Sequence, residues 1–120
     1  MIAMLVPAET GEPILKNVQN DLKALQGIVG GYIETLSWDA AFPENYHRAQ
    51  PKGQGRITIV CNEEGKLLGL PSSFRTDIDI LAGNVLIVNT KDDDFTSLTK
   101  EQIGYLNNFL GLAWGQNENT

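Results

Sequence analysis

Cysteine, histidine and long apolar runs are what this sequence has least of. Its 120 residues contain one cysteine and one histidine, which excludes an internal disulfide and supplies only half of a usual zinc ligand set. No apolar run approaches the roughly 18 residues of a membrane-spanning helix. The segment up to Pro7 lacks the early basic residues and the apolar length of a secretion signal. We therefore expect a cytoplasmic protein with no metal, no cofactor and no membrane contact.

Basic residues are also scarce. Nine lysines and arginines stand against fifteen aspartates and glutamates, which gives a net charge of -6. This negative field opposes attraction to a phosphate backbone, so general nucleic-acid binding is not expected. The length suits one domain, which we place at residues 1–115, followed by a polar tail at 116–120.

The apolar pattern predicts a single α+β domain whose mainly antiparallel sheet has about five strands. Strand-like segments occur at residues 2–6, 14–18, 32–38, 56–61 and 85–88. The last of these is apolar without alternation, which is typical of a central strand buried on both faces. Residues 66–70 are predicted to return as the hairpin partner of 56–61, across a turn with Gly65 in the left-handed conformation.

Two helices are predicted. The first covers about residues 21–29, with an Asx cap before it and Gly30-Gly31 after it. The second runs near 100–114 and opens with a capping box from Thr99 to Gln102. Three residues widen the apolar stripe of this second helix beyond one packed face: Tyr105, Phe109 and Leu112. That width predicts a second contact, and we expect a homo-oligomer.

No motif makes a positive case for an enzyme. Cys61 is in phase with Ile57 and Ile59, which favours a small buried side chain over a nucleophile paired with His47. The run at 92–94 lacks the alternating ligands of a calcium loop and is typical of a solvated turn. The usual phosphate-binding glycine loops and the hydrolase elbow are absent from the sequence.

Binding is better supported than catalysis. A local positive island without an acid lies at 47–56 and contains His47, Arg48, Lys52 and Arg56. Arg56 opens one strand, Lys66 opens its predicted partner, and Arg75 follows a serine pair, so three cations are expected near one end of the sheet. Tyr32 or Trp38 would then supply a stacking face for a base. The alternative is solvated charge around ordinary core aromatics.

Three segments resemble a known family. They are ALQGIVGGYIE at 24–34, VCNEEGKLLGLP at 60–71 and DILAGNVLIV at 79–88. In order and type they are similar to small uncharacterised proteins of bacteriophages, plasmids and other mobile elements, a domain of unknown function with V-G-G-Y-I-E followed by N-E-[DE]-G-K. The sequence departs from that pattern after the predicted hairpin, where LPSSFR at 70–75 replaces the usual L-P-x-N-R.

The resemblance implies a phage or mobile-element protein that acts inside a bacterium, where small non-enzymatic proteins counter host defence. One hypothesis is that it binds and sequesters a nucleotide-derived immune signal in a pocket between subunits. The candidate ligand-binding residues are Tyr32, Glu34, Arg56, Asn62, Glu63, Lys66 and Arg75. The alternative is an acidic inhibitor or nucleic-acid mimic that docks a basic host protein, and an enzyme acting on a nucleotide is ranked last.

Overall fold

A computed structural model describes residues 1–43 and 50–111. Strands and helices follow one another along these residues, and none of the helices is long and apolar enough to cross a membrane. The strands are β1 (Ile2–Val6), β2 (Ile14–Asn17), β3 (Ile33–Ser37), β4 (Arg56–Asn62), β5 (Ser72–Arg75), β6 (Ile80–Ala82), β7 (Val85–Lys91) and β8 (Asp94–Thr96). The helices are α1 (Leu22–Val29), α2 (Trp38–Ala41) and α3 (Lys100–Leu110).

An antiparallel sheet in the order β2-β1-β7-β4-β3 forms the body of the fold, and β8 also pairs with β7. A separate two-stranded sheet joins β5 to β6. The predicted α+β class, with a mainly antiparallel sheet and two of its helices, is confirmed. β7 is central, as predicted, because its alternate side chains Ile87 and Leu86 enter the two core clusters on opposite faces.

α1 covers one face of the sheet and α3 the other. The α3 face holds an aromatic cluster centred on Trp38, whose ring lies 4.5 Å from that of Phe42 and 5.2 Å from that of Phe109. Trp38 Nε1 donates a hydrogen bond to the Tyr105 hydroxyl over 3.1 Å. The wide stripe of α3 therefore packs within its own chain at Tyr105 and Phe109, whereas Leu112 lies outside the described residues.

Local chemistry accounts for both ends of α3. Thr99 and Gln102 form the predicted capping box at its start. The helix ends at Leu110 with Gly111 as its C-cap, and the predicted extension over 112–114 lies outside the described residues.

At the β7–β8 turn, Asp92 and Asp93 have positive φ values of 53° and 66° and are exposed. The carboxylate run is thus a solvated two-residue hairpin turn flanked by the Lys91 and Asp94 pair.

Two sequence predictions near β4 are wrong. Residues 66–70 form turns instead of a hairpin strand, because β4 already pairs with β3 on one edge and β7 on the other. Gly65 lacks a positive φ. It is glycine because a Cβ there would lie 2.7 Å from the carbonyl oxygen of Ala82. Trp38, predicted to end a strand, instead begins α2 after Ser37 caps that helix.

Candidate functional site

The segments 29–34 and 62–66, far apart in sequence, lie side by side at one end of the sheet. In the β3–β4 ladder Ile33 pairs with Asn62 and Glu34 pairs with Cys61. Past the end of that ladder, the Glu63 N–H donates to the Tyr32 carbonyl oxygen over 2.9 Å. Most of the residues predicted to bind a ligand are therefore neighbours in the fold.

Asn62 holds this region together. Its side chain is 7% exposed, and Nδ2 donates to the Val29 carbonyl oxygen over 3.1 Å while Oδ1 accepts from the Glu64 N–H over 2.7 Å. A Cβ at Gly31 would lie 3.0 Å from Asn62 Nδ2, so glycine makes room for the amide. Both ends of the Asn62 amide are thus engaged within the protein, which assigns it a structural part in the site.

Two shallow depressions flank the turn that follows β4. The first has a volume of about 120 Å³, and Glu34, Glu63, Lys66 and Asp79 are among its lining residues. The second has a volume of about 220 Å³, and its walls include Gln26, Tyr32, Asn62, Glu64 and Leu68. Five of the seven predicted ligand-binding residues line one or both of them: Tyr32, Glu34, Asn62, Glu63 and Lys66.

Negative charge dominates this region. Among the described residues that line the first depression, four carboxylates, those of Glu34, Glu63, Glu64 and Asp79, stand with one cation, Lys66. Lys66 Nζ forms an ion pair with Asp79 Oδ1, which also accepts from the Ile80 N–H over 2.7 Å. The hydrogen bond from Lys66, followed by that from the Ile80 backbone, lowers the pKa of Asp79. Lys66, the only cation among the described residues that line the two depressions, is therefore already paired with a carboxylate.

Cys61 lies at the base of the first depression as a protonated thiol. It is 2% exposed, and burial, with smaller contributions from the charges of Glu34 and Asp79, raises its pKa from 9.0 to about 11. A thiol held neutral is a poor nucleophile, which agrees with the predicted buried role. His47, its hypothetical partner, lies outside the described residues, as does Arg48.

The predicted gathering of three cations does not occur. Arg56 begins β4 and Lys66 follows its end, so about 20 Å of strand separates their backbones at roughly 3.3 Å per residue. Arg75 is exposed on β5, opposite Ile80, and lines neither of the two depressions. The error came from treating 66–70 as a returning strand.

Sequence reasoning singled out Tyr32 but missed the exposed leucines around these depressions. Leu67 is 85% exposed and Tyr32 is 66% exposed. We define the acidic-apolar face as the carboxylate residues Glu34, Glu63, Glu64 and Asp79 together with the exposed apolar residues Tyr32, Leu67 and Leu68. The doublet Leu67-Leu68 in a turn rich in glycine and charge was the available signal.

The described part of the chain contains no group of three or more histidine, cysteine, aspartate or glutamate side chains placed to hold a metal ion.

A domain of unknown function, DUF3846, matches residues 1–110. The chain belongs to this family. No curated protein and no solved structure matches it.

Proposed function

We propose that this DUF3846 protein is a non-catalytic binding protein that captures a basic partner protein through its acidic-apolar face. One observation carries the proposal. Three carboxylates of that face, those of Glu34, Glu63 and Glu64, have no ion-pair partner among the described residues and stand beside large exposed apolar side chains. Apolar area supplies affinity, and the charge selects the sign of the partner.

Local electrostatics favour a cationic partner over a phosphate. With Lys66 paired to Asp79, the unpaired carboxylates leave this surface negative, in the same sense as the net charge of -6. Such a field steers lysine and arginine side chains toward the face and repels phosphate groups. This agrees with the sequence-based alternative of an acidic inhibitor that docks a basic host protein.

The resemblance of three segments to phage and mobile-element proteins supports a setting for this activity. In that setting the protein works in the cytoplasm of a bacterial host and blocks a host protein without chemical change. The buried neutral thiol of Cys61 is in keeping with a binding role.

Sequestration of a nucleotide-derived signal is the second candidate, on one observation. The exposed ring of Tyr32 borders the depression of about 220 Å³, whose wall also holds the Gln26 side chain. An aromatic face beside an amide suits a nucleobase. The phosphates of such a ligand would need cations from a second copy of the chain, because Lys66 is paired and Arg56 is distant.

The test compares two double variants with the same change of net charge. Glu63→Lys/Glu64→Lys alters the face, whereas Glu9→Lys/Glu12→Lys alters exposed acids in the β1–β2 connection. Proteins captured from a bacterial extract are quantified for each variant, and any selective partner is purified for calorimetry. We expect a basic protein that binds the wild type and the control variant, fails with the face variant and weakens as salt rises.

Equal capture by both variants would contradict the proposal. A panel of linear and cyclic nucleotides, followed by melting temperature and by recovery of the compound, addresses the second candidate. Stabilisation by a compound that is recovered intact would favour sequestration. A chemically altered compound would identify an enzyme.

A further inference from the structure

Among the residues that the structure describes, the outer edge of β3 has backbone groups without a hydrogen-bond partner. β3 is the last strand on its side of the sheet. In an antiparallel ladder, pairs that exchange hydrogen bonds alternate with pairs that do not. The bond from the Glu63 N–H to the Tyr32 carbonyl sets this alternation, so Glu34 and Leu36 direct their backbone groups toward β4. Ile33 and Thr35 therefore direct theirs outward.

These outward groups are available for pairing. Within the residues that the structure describes, neither Ile33 nor Thr35 has a backbone or side-chain hydrogen bond on that edge. Two N–H donors and two carbonyl acceptors thus stand in the spacing that an added strand requires. No proline, bulge or lysine lies in β3 to block such pairing.

The charged residues of the two outer strands indicate which kind of segment could bind at the edge of β3. Glu34 is exposed and lines the first depression, on the sheet face that Leu36 shares. Ile33 packs with the cluster on the opposite face. The other outer strand, β2, contains Lys16 and no carboxylate, so a basic segment is favoured at β3 and disfavoured at β2.

We propose that the partner binds as an extended basic segment that adds a strand to the outer edge of β3. This inference rests on the proposed function and specifies how the acidic-apolar face is used. Alternate side chains of the segment lie on the sheet face that carries Glu34, while the remaining ones lie on the face of Ile33 and Thr35. Main-chain bonds to Ile33 and Thr35 supply the affinity, and the Glu34 carboxylate selects lysine or arginine at the position beside it.

The probe is an acetylated peptide of alternating lysine and valine, with an alternating glutamate and valine peptide as its control. Amide hydrogen exchange is followed by NMR in the full chain. Without peptide, the Ile33 and Thr35 amides exchange rapidly, whereas those of Glu34 and Leu36 are protected by β4. We expect the lysine peptide, and not the glutamate peptide, to slow exchange at Ile33 and Thr35 by at least about tenfold.

Thr35→Pro removes an outward N–H, and Thr35→Ala removes only the side chain. Proline is tolerated where an edge N–H faces solvent, and we expect Thr35→Pro to bind the lysine peptide about tenfold more weakly than Thr35→Ala. Should Thr35→Pro not fold, the exchange measurement on the wild type still decides.

The outcomes separate the two proposals. Lysine-peptide binding that is lost in Glu63→Lys/Glu64→Lys but leaves Ile33 and Thr35 unprotected would overturn strand addition and retain the acidic-apolar face. Protection by both peptides would overturn charge selection at this edge. No binding of the lysine peptide, while a basic protein is still captured by the wild type and not by Glu63→Lys/Glu64→Lys, would overturn strand addition alone.

Discussion

The side-chain amide of Asn62 donates to the carbonyl oxygen of Val29 over 3.1 Å and so joins the end of β4 to the last residue of α1. Asn84 does the same one residue earlier, since its Nδ2 donates to the Ile28 carbonyl oxygen over 2.9 Å. Carbonyls at the end of a helix have no partner within that helix. Two asparagines from separate segments therefore satisfy the end of α1 and fix it beside the candidate site.

Removal of the Asn62 side-chain amide should destabilise the folded protein. Asn62→Ala leaves the buried Val29 carbonyl and the part-buried Glu64 N–H without their partners, which we expect to lower the free energy of unfolding by about 2 kcal/mol. Urea denaturation measures the loss. The matched control is Asn108→Ala on the exposed surface of α3, expected within about 0.5 kcal/mol of the wild type. Equal stability of the two variants would contradict the structural role of Asn62.

Two glycine substitutions are expected to have opposite signs. In Gly65→Ala the new Cβ would meet the Ala82 carbonyl oxygen at 2.7 Å, so the backbone must shift and stability falls. In Gly27→Ala the new Cβ has no neighbour within 4 Å on an exposed position of α1. That variant should gain about 0.5–1 kcal/mol from helix propensity. Thermal melting of both variants gives the two signs, and a stabilised Gly65→Ala would refute the close approach to Ala82.

Features encoded by local chemistry were predictable from the sequence. Alternation at 56–61 gave the correct faces because the side chains of a strand repeat every two residues. The capping box of α3 could be predicted from the sequence because its two partners, Thr99 and Gln102, lie only three residues apart. The continuous apolar run at 85–88 identified the central strand, since both of its faces are covered.

Features that depend on distant segments were not predictable. Residues 66–70 look like a hairpin strand until β7, which follows later in the chain, occupies the second edge of β4. Lys66 looks like a free cation until Asp79 pairs with it from thirteen residues away. The meeting of residues 32–34 with 62–66 was predictable from the sequence, whereas the pairing of Lys66 with Asp79 was not.

The Lys66–Asp79 pair predicts a small acid-dependent loss of stability. The pKa of Asp79 is lowered in the folded protein, so its contribution is present above the unfolded pKa and is lost as pH falls through the folded pKa. The contribution is small because both side chains are largely exposed. In Lys66→Met the acid limb of a melting-temperature profile should flatten, with Lys100→Met, on the exposed start of α3, as the control. A profile unchanged from the wild type would show that the pair does not hold in solution.

The buried thiol of Cys61 predicts an alkaline loss of stability with the opposite dependence on pH. Because its folded pKa is raised from 9.0 to about 11, the folded chain retains the thiol proton more strongly than the unfolded chain does. The stability that the neutral thiol contributes is complete below the pKa of the thiol in the unfolded chain, and it declines as pH rises from about 9 to about 11.

Lysine and tyrosine side chains titrate in the same range, so the measurement is a difference between the wild type and Cys61→Ala in urea denaturation at successive pH values. We expect the stability advantage of the wild type over Cys61→Ala to shrink across this interval. A constant difference would mean that the thiol ionises as freely in the folded chain as in the unfolded one, and Cys61 would then have to be reconsidered as a reactive group at the base of the first depression.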